Sequence, residues 1–364
     1  HRIAGCSGTV HAPLSGAPTV DVTVDAIGRP QWLRAFGVRL PDGVTIGGAI
    51  PLRARVKGVT PKLAIDVNGD LTPTTIRVSP VLEKPEGEKA NISVQTTLTD
   101  TPRPRASRPA QVLRVGLHMP SPRIHLRPQG PALAGVGLNL TTAVIVRGKS
   151  VDINDAELTL KKGQRKSPDE IAINADVENL ESAHPKIKGT VTALLNKELI
   201  AAAAGNLPSN LKLTGETRAK VALAGNPKAL DWNLELPLTG VGIDVEKAFQ
   251  KPAGVAAHLK ASGKWADDAL NMERGYLTLA SIAAYGRGVL KECNGGFGGL
   301  HVQVKKADLK DVAKFVPSLS RVKLSGPMEA DLDLKPTQGG ILPYGSVRLN
   351  AVEYQADKNE WSLR

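Results

Sequence analysis

Lys84-Pro85-Glu86-Gly87 and Lys251-Pro252-Ala253-Gly254 stand 167 positions apart. The same offset of 167 carries Leu40-Pro41 onto Leu207-Pro208, Gly48 onto Gly215 and Gly58 onto Gly225. It also carries Leu63 onto Leu230, Leu71-Thr72 onto Leu238-Thr239 and Ile76 onto Ile243, with no gap between Leu40 and Gly87. A fixed offset across pairs as uncommon as Lys-Pro and Leu-Pro marks an internal repeat, which is one supersecondary unit copied along the chain. A partial third copy starts at Leu309, with Val316-Pro317-Ser318-Leu319, then Leu324-Ser325-Gly326, then an alternating run from Met328 to Leu334. The unit reads as a short helix, a Pro-bearing turn and a meander of strands. The expected divisions are 1–29 as the end of a preceding meander, 30–196 as the first unit, 197–308 as the second and 309–364 as a partial third, all within one continuous sheet.

Inside each copy the dominant period is two. Val20, Val22 and Val24 alternate with Asp21, Thr23 and Asp25; Leu113, Val115 and Leu117 alternate with Arg114, Gly116 and His118. Leu63, Ile65 and Val67 follow the same rule, as do Leu158 and Leu160, Ile171 and Ile173, Leu332 and Leu334, and Val347 and Leu349. Leu230, Trp232, Leu234 and Leu236 complete the set. Strict alternation places each set on one face of a strand and its polar partners on the other. Asn68-Gly69-Asp70, Pro85-Glu86-Gly87 and Gly339-Gly340 read as turns between strands. Helical signal is confined to about 194–204, 309–316 with Asp308 as its cap, 30–36 and 245–250.

The chain has 364 residues, of which 36 are Gly and 26 Pro, a punctuation suited to many short strands. Aromatics are only 3%, so any apolar layer is built from small aliphatics, which favours strong curvature. A sheet with one apolar face must pack on another sheet, close on itself, or curl so that this face lines a groove. The expected fold is mainly β: an elongated, strongly curved antiparallel sheet with a few short helices. The sequence begins at His1 without an initiator Met and stops just after an alternating run, which reads as an internal segment of a longer chain. No run of 18 apolar residues is present.

Several stretches resemble the AsmA-like superfamily, of the AsmA, TamB and YhdP type. They are the helix, Leu-Pro and strand succession at Leu199–Leu213 and its copy around Val316-Pro317, and Gly225-Asn226-Pro227 ahead of a strand. Lys251-Pro252-Ala253-Gly254 followed by Leu259-Lys260-Ala261-Ser262-Gly263, Leu277-Thr278-Leu279-Ala280-Ser281 and Leu324-Ser325-Gly326-Pro327-Met328 are similar to the same family. The resemblance is densest from about Leu194 to Val352, and 101–165 carries no matching motif. It implies a repeating β-groove, a half-pipe of sheet with an apolar lining. It further implies a parent protein anchored in the Gram-negative inner membrane, lying in the periplasm and carrying phospholipid or another acyl-chain lipid toward the outer membrane. Envelope membrane proteins at the ends of the groove are the implied partners. The alternating residues named above are then the groove lining. A structural scaffold of a large envelope assembly is the competing reading, because protein side chains and lipid would demand the same alternation.

Catalytic chemistry has no motif here, and neither a metal nor a cofactor is expected. The seven histidines are scattered, and Pro120 and Pro122 separate His118 from His125. Gly295-Gly296-Phe297-Gly298-Gly299 lacks the Lys-Ser/Thr and the helix of a phosphate loop and reads as a hairpin turn. Cys6 and Cys293 provide no framework of disulfides. Lys and Arg exceed Asp and Glu by 12, but the cations are spread over polar strand faces and loops such as 103–108 and 161–166. That distribution reads as a solvated basic surface, with attraction to anionic head groups as the alternative, and not as a nucleic-acid site, which would pair a basic patch with exposed aromatics.

Overall fold

The structure is a computed structural model. It describes residues 4–11, 17–31, 40, 42–99, 111–126, 132–133, 135–147, 150–162, 169–180, 182–204, 210–246, 248–292, 296–319, 322–337, 340–356 and 359–362. Of these, 72% lie in strands and 5% in helix, as the two-residue period requires. The chain divides into two compact units, 1–189 and 190–364.

The first unit contains β1 (Ala4–His11), β2 (Thr19–Gly28), β3 (Val44–Gly48), β4 (Ile50–Val59), β5 (Lys62–Asp70), β6 (Thr74–Val78) and β7 (Leu82–Lys84). It continues with β8 (Asn91–Thr99), β9 (Gln111–Met119), β10 (Arg123–His125), β11 (Ala132–Leu133), β12 (Val136–Arg147), β13 (Ser150–Lys162) and β14 (Asp169–Glu178). Its main sheet runs β1-β2-β4-β5-β8-β9-β12-β13-β14, every neighbouring pair antiparallel. Among the described residues β1 and β14 do not pair with each other, so this sheet is open. The remaining strands form a smaller sheet in the order β11-β10-β7-β6-β3.

β15 (Lys186–Leu195) spans the division between units, and the helix Lys197–Ala204 follows it. Then come β16 (Leu211–Thr214), β17 (Thr217–Asn226), β18 (Ala229–Pro237), β19 (Gly242–Val245), β20 (Phe249–Lys251), β21 (Ala257–Ala266), β22 (Ala269–Leu279), β23 (Ile282–Lys291) and β24 (Gly299–Asp308). The helix Leu309–Ala313 leads to β25 (Lys323–Ser325), β26 (Pro327–Thr337), β27 (Gly340–Leu349), β28 (Glu353–Ala356) and β29 (Asn359–Ser362). The second main sheet runs β17-β18-β21-β22-β23-β24-β26-β27, again antiparallel throughout. Two three-stranded sheets, β16-β19-β20 and β25-β28-β29, stand beside it.

The repeat is structural. β4 and β5 fall on β17 and β18 at both ends under the 167-residue offset, and β7 falls on β20. The register is copied too: Ile76 faces Lys84 in one small sheet and Ile243 faces Lys251 in the other. Leu324 pairs with Tyr354 in the third copy as Leu213 pairs with Ile243 in the second. Gly58 and Gly225 occupy the same place in the two hairpins, at φ 150° and 139°. A Cβ there would strike the carbonyl oxygen of Lys62 or Ala229 across the hairpin, so only glycine permits the approach.

The repeated lysines explain the small sheets. Lys84 is 1% exposed and Lys251 2%. The Lys84 ammonium donates to the carbonyls of Thr72 (3.3 Å), Thr74 (2.7 Å) and Pro85 (3.0 Å). Lys251 donates to Leu238 (2.8 Å), Val241 (2.6 Å) and Pro252 (3.2 Å). Three donors meet three acceptors, the condition under which an ammonium can be buried. Burial pushes both lysines below their ordinary value of 10.5. Two of the three carbonyls in each copy belong to the turn at which the chain leaves the main sheet for the small one, and the third to the proline that follows the lysine. The same turn is closed by backbone bonds at matching positions, Thr74 to Leu71 and Gly87 to Thr72, Val241 to Leu238 and Gly254 to Thr239.

Helices form at 197–204 and 309–313, each begun by a capping side chain. Asn196 accepts from Leu199 N–H at 2.8 Å, and Asp308 from Lys310 N–H at 2.8 Å. The described residues of the helix expected at 245–250 are not helical: Val245 ends β19, Phe249 and Gln250 open β20, and the two strands pair Ile243 to Lys251. The apolar spacing was that of a strand residue, Phe249, packing on Phe315 with ring centroids 6.2 Å apart. Of the helix expected at 30–36 only Pro30 and Gln31 are described, and they are helical. Asn68-Gly69-Asp70 does not turn; it lies within β5, and the turn comes at 71–74. Gly69 is there for space, since a Cβ would sit 2.9 Å from Ile92 and 3.0 Å from Leu52. Pro41, Pro208, Cys293 and Gly295, and the basic run 103–108, lie outside the described residues, as does the basic run after Lys162.

If the buried ammonium organises this turn, Lys84→Met will cost about 2 kcal/mol in urea unfolding, because buried carbonyls lose their donor. Lys251→Met will cost a similar amount, and Lys57→Met on the exposed face of β4 will stay within about 0.5 kcal/mol.

Candidate functional site

The apolar residues of successive strands fall in register. Across the first main sheet Val22, Val56, Ile65, Thr96, Leu113, Val144, Ile153 and Val177 follow one another strand by strand. A second row runs Val24, Ala54, Val67, Val94, Val115 and Thr142. A third runs Ala26, Leu52, Gly69, Ile92, Leu117, Leu140, Leu158 and Ile173. Met119, Leu138, Leu160 and Ile171 make a fourth. Val20 and Leu63 join the same face through Gly58. All the residues expected in a lining between Val20 and Ile173 therefore share one face.

That face is treated differently along its length. Met119, Val136, Leu138 and Leu160 are buried and pack with Leu71, Ala90 and Ile124. Ile76, Leu82 and Leu133 of the small sheet press on this cluster, which also takes in Leu117, Leu158 and Ile171. Protein thus covers one end of the face. Val20, Val22, Val24, Leu63, Ile65, Val67, Leu113 and Val115 lie outside this cluster and are half-buried.

The second unit repeats the pattern. One row is Val221, Leu234, Ala261, Gly275, Gly286, Val302 and Leu332. The next is Leu223, Trp232, Gly263, Met272, Gly288, Leu300 and Leu334. Leu236 leads through Leu259, Leu277, Ala284, Val304 and Ala330 to Val347. Leu230 begins a further row opposite Gly225 and Trp265, and Leu349 pairs with Met328. Ala257, Leu279 and Phe315 close one end, packed against Leu238 and Phe249. Val347 and Leu349 are 53% and 50% exposed, because β27 is the last strand of this sheet among the described residues.

Two features of this face have no counterpart in simple alternation. Trp232 is 7% exposed and its indole N–H has no acceptor, a polar point on an otherwise aliphatic layer. Met272 lies over Gly275 and Gly286, where a Cβ would meet its side chain at 2.9 and 3.2 Å. Ala54, Val56 and Val94 also lie on this face of the first unit. Their alternation with Arg53, Arg55 and Gln95 is present in the sequence but weakened by small side chains.

The opposite face is polar and paired across strands. Arg55 binds Asp21 through two nitrogens, at 3.1 and 2.9 Å, and Arg53 binds Asp25 at 2.8 Å. The Arg55 guanidinium holds the Asp21 carboxyl below its ordinary range. In the second unit His301 sits between Asp333, at 2.9 Å, and Asp331, at 3.5 Å. Hydrogen bonds from Lys314 and Ser281 hold Asp311 below its ordinary range and tie the helix 309–313 to the β22–β23 turn. Among the described residues no group of three His, Cys, Asp or Glu is placed to hold a metal ion. No described helix is long and apolar enough to cross a membrane.

No family model, no curated protein and no solved structure matches the chain.

The division of the apolar face into a covered and an uncovered part is measurable. Leu160→Ala is expected to cost about 3 kcal/mol in urea unfolding, the cost of a cavity in a closed core. Val115→Ala, from the uncovered part, is expected to cost less than about 1 kcal/mol.

Proposed function

We propose that the uncovered apolar face shields the acyl chains of a phospholipid or similar lipid, so that the chain serves as a segment of a lipid conduit between the membranes of a cell envelope. The observation that carries this reading is the registration of half-buried aliphatics over successive strands of an open sheet. Each methylene laid on such a face leaves water with a gain of about 0.8 kcal/mol. Small aliphatic side chains offer no directional contact along most of the rows, so an acyl chain can slide without breaking one strong bond. The basic surface suits anionic head groups at the rim. The resemblance to AsmA-like proteins agrees with a periplasmic location, an inner-membrane anchor elsewhere in the parent chain and envelope proteins at its ends. No catalytic residue is invoked.

A scaffold role is the second reading, and one observation favours it. Protein side chains already occupy one end of each apolar face. A partner chain could occupy the rest.

Mass spectrometry of lipids co-purifying with the folded chain separates the two. Val115→Asp and Leu234→Asp set a carboxylate among the apolar rows, a group costly to desolvate. Both are expected to abolish lipid co-purification while circular dichroism stays that of a folded β protein. Arg114→Glu and Glu235→Lys, one residue along the same strands and on the opposite face, are expected to retain lipid. Equal lipid content in all four variants would remove the conduit and leave the scaffold.

A further inference from the structure

Among the described residues two buried side-chain atoms lack a hydrogen-bond partner, Glu88 Oε2 and Trp232 Nε1. The Glu88 carboxylate lies in the field of the Lys84 ammonium. Trp232 stands among aliphatics. On the apolar face of the second unit Leu230 and Leu234 flank it along β18, Leu223 faces it from β17 and Gly263 from β21. The residue is 7% exposed, and its indole N–H is closed to solvent. A buried indole ordinarily finds an acceptor, and a donor left without one destabilises the fold.

The repeat shows that the apolar row does not require this donor. The offset of 167 sets Val56 on Leu223, Ile65 on Trp232 and Thr96 on Gly263. In the first copy Ile65 fills the position between Val56 and Thr96 with no polar atom. In the second an indole takes the place of the isoleucine, and glycine stands opposite it. The indole adds one donor and no acceptor. A water on that donor would need further polar partners, and the three neighbouring leucines offer none. A carboxylate or phosphate would have to be desolvated in an aliphatic layer. The acceptor that fits is neutral, accepts without donating and travels with hydrocarbon, which describes the carbonyl of an acyl ester.

We infer that Trp232 is a specificity-determining residue of the groove: its indole N–H donates to the ester carbonyl of a bound lipid, so that the second unit selects ester-linked over ether-linked chains. The inference rests on the lipid-conduit reading and names the class of lipid. Trp232 lies outside the covered end of the face. Gly263 puts no side chain between Trp232 and Met272, which faces Gly263 from β22. Met272 is unbranched and adaptable, so a change of its rotamer admits the carbonyl. The aliphatic rows let hydrocarbon slide, and this one donor registers the head of the acyl chain among them.

Vesicles holding equal amounts of dioleoyl phosphatidylcholine and its dioleyl ether analogue test this. The full chain is incubated with them and re-isolated, and the two bound lipids are compared by mass spectrometry. Head group and chain length are common to both, so only the carbonyls differ. The wild type is expected to carry the ester lipid about fivefold over the ether, because the ether leaves the donor unpaired. Trp232→Phe keeps an aromatic ring without the N–H and is expected to bring the ratio to about one while still carrying lipid. Tyr276→Phe, which removes a donor from the polar face, is expected to keep the wild-type ratio. Circular dichroism verifies folding of each variant. The assigned indole N–H resonance of Trp232 in the wild type gives a second measure that does not depend on a variant, and it is expected to shift with the ester lipid and not with the ether. Equal loading of both lipids on the wild type would overturn the inference and leave the conduit. Loading of neither would remove the conduit and the inference with it. A preference that survives in folded Trp232→Phe, or an indole resonance unmoved by the ester lipid, would overturn the assignment to Trp232.

Discussion

A buried ammonium group bound to three carbonyls sets the repeat. Lys84 and Lys251, each the last residue of its strand in a small sheet, knit that strand to the turn that leaves the main one. Without those donors the turn at 71–74 would bring desolvated carbonyls together with no partner, an arrangement that buried backbone rarely tolerates. The side chain has to reach back and donate in three directions from a single nitrogen, which is the chemistry of the lysine ammonium and not of the planar arginine fork. The proline after each lysine contributes one of the three acceptors and removes a backbone N–H that the turn has no use for.

The small sheet in turn decides what the apolar face can do. A one-sided sheet needs a cover for its apolar side chains. Among the described residues the cover lies at one end: Ile76, Leu82, Ile124 and Leu133 pack on the rows that carry Met119, Leu138 and Leu160. In the second unit Phe249 and Phe315 serve the same end. The aliphatics beyond are screened by their neighbours in the same layer, which leaves them half-buried. That intermediate condition distinguishes a lined surface from a core, and it makes substitutions at Val115 and Leu160 unequal although both obey the same alternation.

Much of this was legible in the residues. The offset of 167 foretold shared strand ends and shared register, because a repeat that keeps its Lys-Pro-x-Gly must keep the turn that the lysine serves. Alternation foretold which side chains share a face, since the two-residue period is geometric. Three things were not legible. Phe249 looked helical because a short segment between two turns gives too few residues to separate periods of 2 and 3.6. Asn68-Gly69-Asp70 looked like a turn because composition does not say whether a glycine is there for its φ angle or for lack of a side chain; Gly69 is there for the second reason. The covered end of the face was invisible, because which part of a strand lies under the small sheet depends on contacts between Leu71, Met119 and Leu160, far apart in the chain.

The same alternation that builds an apolar surface necessarily builds a second one of opposite character. Every residue inserted to line the first face places its neighbour on the other, so the polar face inherits a lattice spaced by the strands and fixed by the same register. On that lattice some charges find a partner one strand away, as Asp21 does with Arg55 and Asp25 with Arg53. Pairing of this kind neutralises the charges it joins. It shifts where β22 and β23 lose register: Glu273 and Arg274 together stand opposite Arg287 alone, and Glu273 meets Lys264 of β21. A break in register therefore changes which charges meet across strands on the polar face while the apolar rows run on through Met272 and Gly275 on the other.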